Sequence, residues 1–224
     1  MDALLPNIEQ FEDFRPAQIG IQILPSATLP RAAFRNGIGG ELLQVQPDRF
    51  AYNWIKTGDD HEYPHSEKTL ERFFELLEKF TDFLTSRNLG EISIIQCELT
   101  NVNIVPVDGV GDSFADVATV LRLPDIVADC PNMKLENQMF GSKHLMLNDV
   151  GKPVGRVHCV GQPSLRVPSN EQVFRLDIAA RGAPIGPGVL GASKFFEDAV
   201  SAINAVFLAT TTKAGRQFWG EIDA

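Results

Sequence analysis

Two histidines, His61 and His65, stand four residues apart in the segment Asp59-Asp60-His61-Glu62-Tyr63-Pro64-His65. That spacing puts two imidazoles on one helical face, the arrangement of a metal-binding helix. Pro64 works against it, because a proline disfavours helical backbone at the residue before it. The segment therefore reads as a solvated polar turn, and neither a metal site nor any other cofactor is expected.

Two glycine-rich stretches, Gly37-Ile38-Gly39-Gly40 and Gly109-Val110-Gly111, lack the strand, loop, helix and lysine order of a phosphate cradle. The second precedes a short helical stretch but is flanked by Asp108 and Asp112, which repel anions. The loop from Gly182 to Ser193 opens a helix and carries no acid of its own. Free amides at Gly191, Ala192 and Ser193 make it the better anion candidate, against the plainer reading of a linker.

No G-x-S-x-G elbow is present, and no local pattern pairs a serine or cysteine with a histidine, so no catalytic residue is assigned. The most suggestive polar set lies in the second half of the chain. Strand alternation there could bring His144, Arg156, His158, Arg175 and Asp177 onto one side of a sheet. Such a face is ordinarily wet; covered by a partner, it would be a binding surface whose charges need ion pairs.

The elements that would position these residues follow from hydrophobic period. ELLQVQ and RFAYNWIK flank Pro47-Asp48, a β-hairpin pattern that sets Phe50, Tyr52 and Trp54 on one face. Both faces of its second strand are apolar enough to place the hairpin inside a sheet. Leu70, Phe73, Phe74, Leu77, Phe80 and Leu84 recur at helical spacing, giving a helix over 66–89 with Ser66 as N-cap and Gly90 as its stop. Trp54 and Phe74 are expected in the core. The run IGIQIL at 19–24 reads as a strand, 25–40 as a surface loop, and EISIIQCELTNVNIV as one long strand closed by Pro106. A short helix with Ser113 and Asp116 in a capping arrangement then runs to about Leu121.

NQMFGSKHLML, GRVHCVGQPSLRV and EQVFRLDIAAR, separated by Asn148-Asp149 and Pro168-Ser169-Asn170, read as a three-stranded meander. A second helix over 191–210 carries Phe195, Phe196, Ala199, Val200, Ile203, Val206 and Phe207, and a closing turn brings Phe218 and Trp219 back to the core. The class is α+β: a mainly antiparallel sheet of about seven strands with two long amphipathic helices. The chain divides into an N-terminal half, 1–124, and a C-terminal half, 125–224, within one compact unit. Both halves read as strands followed by a helix, and the helices share Phe73-Phe74-Glu75 and Phe195-Phe196-Glu197. Duplication and the chance likeness of two amphipathic helices both account for this.

Bulk composition narrows the partners. With 20 Lys+Arg against 29 Asp+Glu the net charge is -9, and the basic residues do not cluster in sequence, so nucleic acid is not an expected ligand. Cys97, Cys130 and Cys159 are widely separated, as a reducing compartment tolerates. No apolar run approaches the roughly 18 to 20 residues of a membrane helix, and MDALLPNIEQFEDF lacks the regions of a secretory signal. A cytoplasmic location without membrane attachment is expected.

Phe14-Arg15-Pro16-Ala17, Leu43-Gln44-Val45-Gln46 with Asp48-Arg49-Phe50, Asn53-Trp54, Tyr63-Pro64, and Phe207 with Trp219 run through nearly the whole chain. On these residues the chain resembles a sporadically distributed family of bacterial proteins of about this size, whose function is uncharacterised. It departs from that pattern at Thr100-Asn101-Val102-Asn103-Ile104, which lacks the family's tyrosine-containing turn. The resemblance implies no activity and no cofactor. Sporadic distribution fits an accessory role such as toxin neutralisation or defence. Because this acidic chain carries no metal, nucleotide or nucleophile motif, engagement of another macromolecule, through a protein partner or self-association, is expected over catalysis. The alternative is a small-molecule binder or enzyme with an apolar cavity under a curved sheet, as in helix-grip folds.

Overall fold

A computed structural model describes residues 31–36, 40–56, 63–108, 110–111, 114–124, 132, 135–167 and 169–218. The described residues form two compact units, one ending at Ser93 and the other beginning at Ile94. The expected strand at 19–24, the turn at 57–62 with His61, and Ser113, Cys130 and Trp219 lie outside the described residues.

The first unit is a three-stranded antiparallel meander followed by a helix: β1 (Ala32–Arg35), β2 (Glu41–Gln46), β3 (Arg49–Trp54) and α1 (His65–Ser86). Pro47 and Asp48 form the two-residue turn, with Gln46 paired to Arg49 and Glu41 to Trp54. β1 falls where a loop was expected, and it leaves β3 at a sheet edge rather than inside the sheet among the described strands. Phe50 stacks on Phe80 at 5.4 Å and meets Phe73 edge-on at 5.7 Å, so the apolar face of β3 seats α1. Leu77 is the one fully buried residue of α1, and Trp54 and Phe74 are half-buried rather than core.

Both ends of α1 differ from expectation. The Ser66 side chain makes no capping bond; its hydroxyl lies 3.4 Å from that of Tyr63, and Pro64 precedes the first turn. At the other end Asn88, not Gly90, reverses the chain at φ 52. Leu89 N–H donates to Leu84 C=O at 2.9 Å and Asn88 N–H to Thr85 C=O at 3.1 Å, the paired bonds of a Schellman ending. Asparagine tolerates the left-handed backbone that this requires.

The second unit contains β4 (Cys97–Pro106), a short 3-10 helix (Phe114–Thr119), β5 (Phe140–Leu147), β6 (Pro153–Arg166), β7 (Glu171–Gly182), α2 (Gly188–Thr210) and α3 (Lys213–Phe218). Its antiparallel sheet has the order β4-β7-β6-β5. β4 was expected to belong to an N-terminal half ending at 124; its ten ladder partners on β7 place it in the C-terminal sheet instead. Residues 91–96 lie outside this strand. The seven described strands therefore divide three and four between two sheets.

The core lies between this sheet and α2. Phe174, Leu176, Ile178 and Ala180 alternate inward along β7, and Phe195, Ala199 and Ile203 of α2 are buried with them. Phe195 sits on the directly paired Gly155 and Gly182; a Cβ at Gly182 would come within 2.6 Å of its ring and 2.3 Å of Val154 C=O. The helix thus rests on bare backbone with one ring as spacer. Leu121 bridges to Thr211, and Arg122 donates to Thr211 C=O at 3.1 Å, tying the 3-10 helix to the end of α2.

Candidate functional site

Opposed residues on neighbouring strands face the same way, so the ladder registers place every side chain of the four-stranded sheet. On the side away from α2, Glu98, Arg181, Arg156 and Leu145 stand in one row across β4, β7, β6 and β5. Thr100, Ala179, His158 and Lys143 form the next row, and Val102, Asp177, Val160 and Gly141 the third. Arg175 and Gln162 continue the fourth.

Four of the five expected residues, Arg156, His158, Arg175 and Asp177, share this face. His144 does not: it pairs with Val157, a buried residue of the α2 side. The cause is a register shift between Met146 and Leu147, where β6 carries one extra residue. A one-residue slip turns every side chain of a strand to the other face. On that other side the His144 Nε2 lies 3.0 Å from the Ser142 hydroxyl, a contact between residues two apart on one strand.

The face is a cationic island in an acidic chain. Lys143, Arg156, Arg175 and Arg181 stand against two carboxylates, Glu98 and Asp177. Arg181 Nε donates to Glu98 at 2.7 Å, with side-chain exposures of 13% and 22%. Arg175 Nε donates to Asp177 at 2.8 Å, with exposures of 12% and 19%. Both carboxylates are thus engaged by the inner arginines. Lys143 and Arg156 are exposed and make no ion pair among the described residues. Arg181, Glu98 and Lys143 were not foreseen. The first two-residue step beyond Asp177 and Ala179 would have found Arg181, whereas Glu98 needs the β4–β7 pairing and Lys143 the shifted register.

His158 lies among these cations. Burial, followed by the nearby charges of Lys143, Arg181 and Arg156, holds its imidazole below the ordinary histidine pKa. Its Nε2 is buried and has no hydrogen-bond partner among the described residues. The ring is therefore a neutral element in the middle of the positive face.

The expected anion site at Gly191, Ala192 and Ser193 is not a free-amide loop. α2 begins at Gly188, so these residues lie within the helix. Gly191 N–H donates to Pro187 C=O at 3.2 Å, its own carbonyl accepts from Ile185 at 2.8 Å, and Gly191 and Ala192 are buried. In the first unit, Glu41 accepts from Tyr52 at 2.8 Å and from Asn36 at 3.2 Å, with Arg72 at 3.4 Å. The Tyr52 hydroxyl, with help from Asn36 and Arg72, holds the Glu41 carboxyl below its usual range, while burial and that bond push Tyr52 up to about 12. These are the marks of a structural pair joining β2, β3 and α1.

Among the described residues no group of His, Cys, Asp and Glu is placed to hold a metal ion, and no helix is long and apolar enough to cross a membrane. Compared with protein-family models, with curated proteins and with solved structures, the chain matches none.

Proposed function

We propose that this is a non-catalytic binding protein that engages another protein through the polar face of its four-stranded sheet. The observation that carries this reading is the division of labour among the charges. The inner arginines are tied to Asp177 and Glu98, while Lys143 and Arg156 are presented outward beside them. Fixed inner pairs orient the face, and outward cations on a chain of net charge -9 select an acidic partner and steer its approach. An accessory role such as toxin neutralisation or defence suits such a protein, on the strength of the family it resembles.

The cavity reading is less well supported, because Phe195 fills the approach of α2 to the Gly155–Gly182 pair and leaves no space for a ligand there.

The test is charge reversal of Lys143 and Arg156 together in the full chain, followed by capture from a lysate of its native source. Loss of a wild-type partner, with a melting temperature within about 2 °C of wild type as suits surface changes, supports the face. Retention of every wild-type partner by the variant removes it.

A further inference from the structure

We infer that the edge of β5 left open by the described strands receives an extended acidic segment of another protein, which adds to the sheet as a fifth strand. The inference rests on the proposed binding face and specifies how that face is used.

Among the described strands β5 pairs only with β6, so alternate residues of its eight present outward backbone N–H and C=O groups along roughly 26 Å of edge. Gly141 to Leu145 are exposed on both sides of the sheet, whereas the opposite edge strand, β4, is half-buried along most of its length. Natural edges are guarded by proline, by several charges or by short length. Phe140–Leu147 contains no proline and one charge, Lys143, and its register shift lies at one end, between Met146 and Leu147. Leu145 and Leu147 are exposed by 51% and 55%.

The chemistry of the occupant follows from strand alternation. Every second side chain of an added strand would stand on the side of Lys143, with Arg156 one strand further in and diagonal to it. Those side chains are acidic: aspartate or glutamate at alternate positions would meet cations that have no partner in the described chain. The intervening side chains would lie on the side of Ser142 and His144. A second copy of this chain fits less well. Antiparallel pairing about a two-fold axis sets β5 against itself and brings the two Lys143 and Arg156 clusters together, where like charges repel.

The probe is a fluorescein-labelled, end-blocked (Glu-Val)4 peptide titrated against the full chain by fluorescence anisotropy. It is compared with (Lys-Val)4, and with (Glu-Val)4 peptides N-methylated at alternate residues in either phase. Saturable binding of (Glu-Val)4 is expected. It should weaken at least tenfold in one phase of N-methylation, with (Lys-Val)4, and in the Lys143→Glu/Arg156→Glu variant. Binding that depends on charge but tolerates both N-methylated phases overturns strand addition while leaving the binding face standing. Absence of binding, or binding indifferent to the charge reversals, overturns both. A concentration-dependent dimer that (Glu-Val)4 dissociates would assign the edge to a second copy and overturn the acidic partner.

Discussion

Arg156 and Arg181 stand directly opposite each other on β6 and β7, two like charges paired across neighbouring strands. Glu98 on β4 makes this tolerable by binding Arg181 at 2.7 Å from the far side. Removing that carboxylate leaves a mostly buried guanidinium facing another cation. Glu98→Gln should therefore cost about 2 kcal/mol in urea unfolding, and Glu98→Gln with Arg181→Leu should recover most of it. Equal stability of Glu98→Gln and wild type would show the pair to be inconsequential.

The seat of α2 predicts a sharp contrast between two glycines of one sheet. A Cβ at Gly182 meets Val154 C=O at 2.3 Å and the Phe195 ring at 2.6 Å, whereas one at Gly141 meets nothing nearer than Cys159 C=O at 3.8 Å. Gly182→Ala should destabilise by about 1–3 kcal/mol through overpacking. Gly141→Ala should leave the denaturant midpoint close to wild type, and a similar loss for both would remove the packing explanation.

Core position also ranks the aromatic truncations. Phe174 is fully buried and stacks on Phe140 at 6.3 Å, while Trp54 is half-buried. Phe174→Ala should cost about 3–5 kcal/mol and Trp54→Ala clearly less, by chemical denaturation. The reverse order would place the principal core in the first unit.

His158 gives stability a dependence on acid. Its folded pKa lies below the value of 6.5 that an unperturbed histidine has, so below that pH the unfolded chain takes up a proton that the folded chain refuses. Stability contributed by the neutral ring is present above the unfolded pKa and is lost as pH falls through 6.5 toward the folded value. Wild type should lose more stability between neutral and mildly acidic pH than His158→Gln, measured as the shift in urea midpoint. Tyr52 acts at the other end: its hydroxyl is held protonated up to about 12, so its contribution is present below 10.0 and fades as pH rises through that interval. Tyr52→Phe should cost about 1 kcal/mol at neutral pH and raise the Glu41 pKa as its donor is lost.

Burial makes a further claim on the thiols. Cys97 is pushed up to about 11 by burial and Cys159 is raised for the same reason, so neither supplies thiolate at neutral pH. Labelling of both by a thiol reagent, followed by mass spectrometry, should track global unfolding. Rapid labelling of Cys159 in the folded protein would contradict its place beneath α2.

Local pattern determined the parts of this protein that depend on neighbours in sequence. The 3.6-residue recurrence of Leu70 to Leu84 and of Phe195 to Val206 was enough to place both long helices. Pro47-Asp48 was enough to close the first hairpin in register, because a two-residue loop leaves the strands one pairing. The alternation of Arg175 and Asp177 with buried Leu176 and Ile178 likewise announced which side of β7 was polar. Only the tertiary structure decided which strand lies beside which, and hence which face a residue shares. β4 joins β7 across an interval of more than sixty residues, a long-range pairing that supplies Glu98 to Arg181 and that no local pattern encodes. One extra residue in β6 moved His144 to the far side of the sheet and put Lys143 in its place. With a side-chain period of two, a single inserted residue inverts a face, and its cost is settled by packing on both sides of the sheet rather than by the residues in the strand.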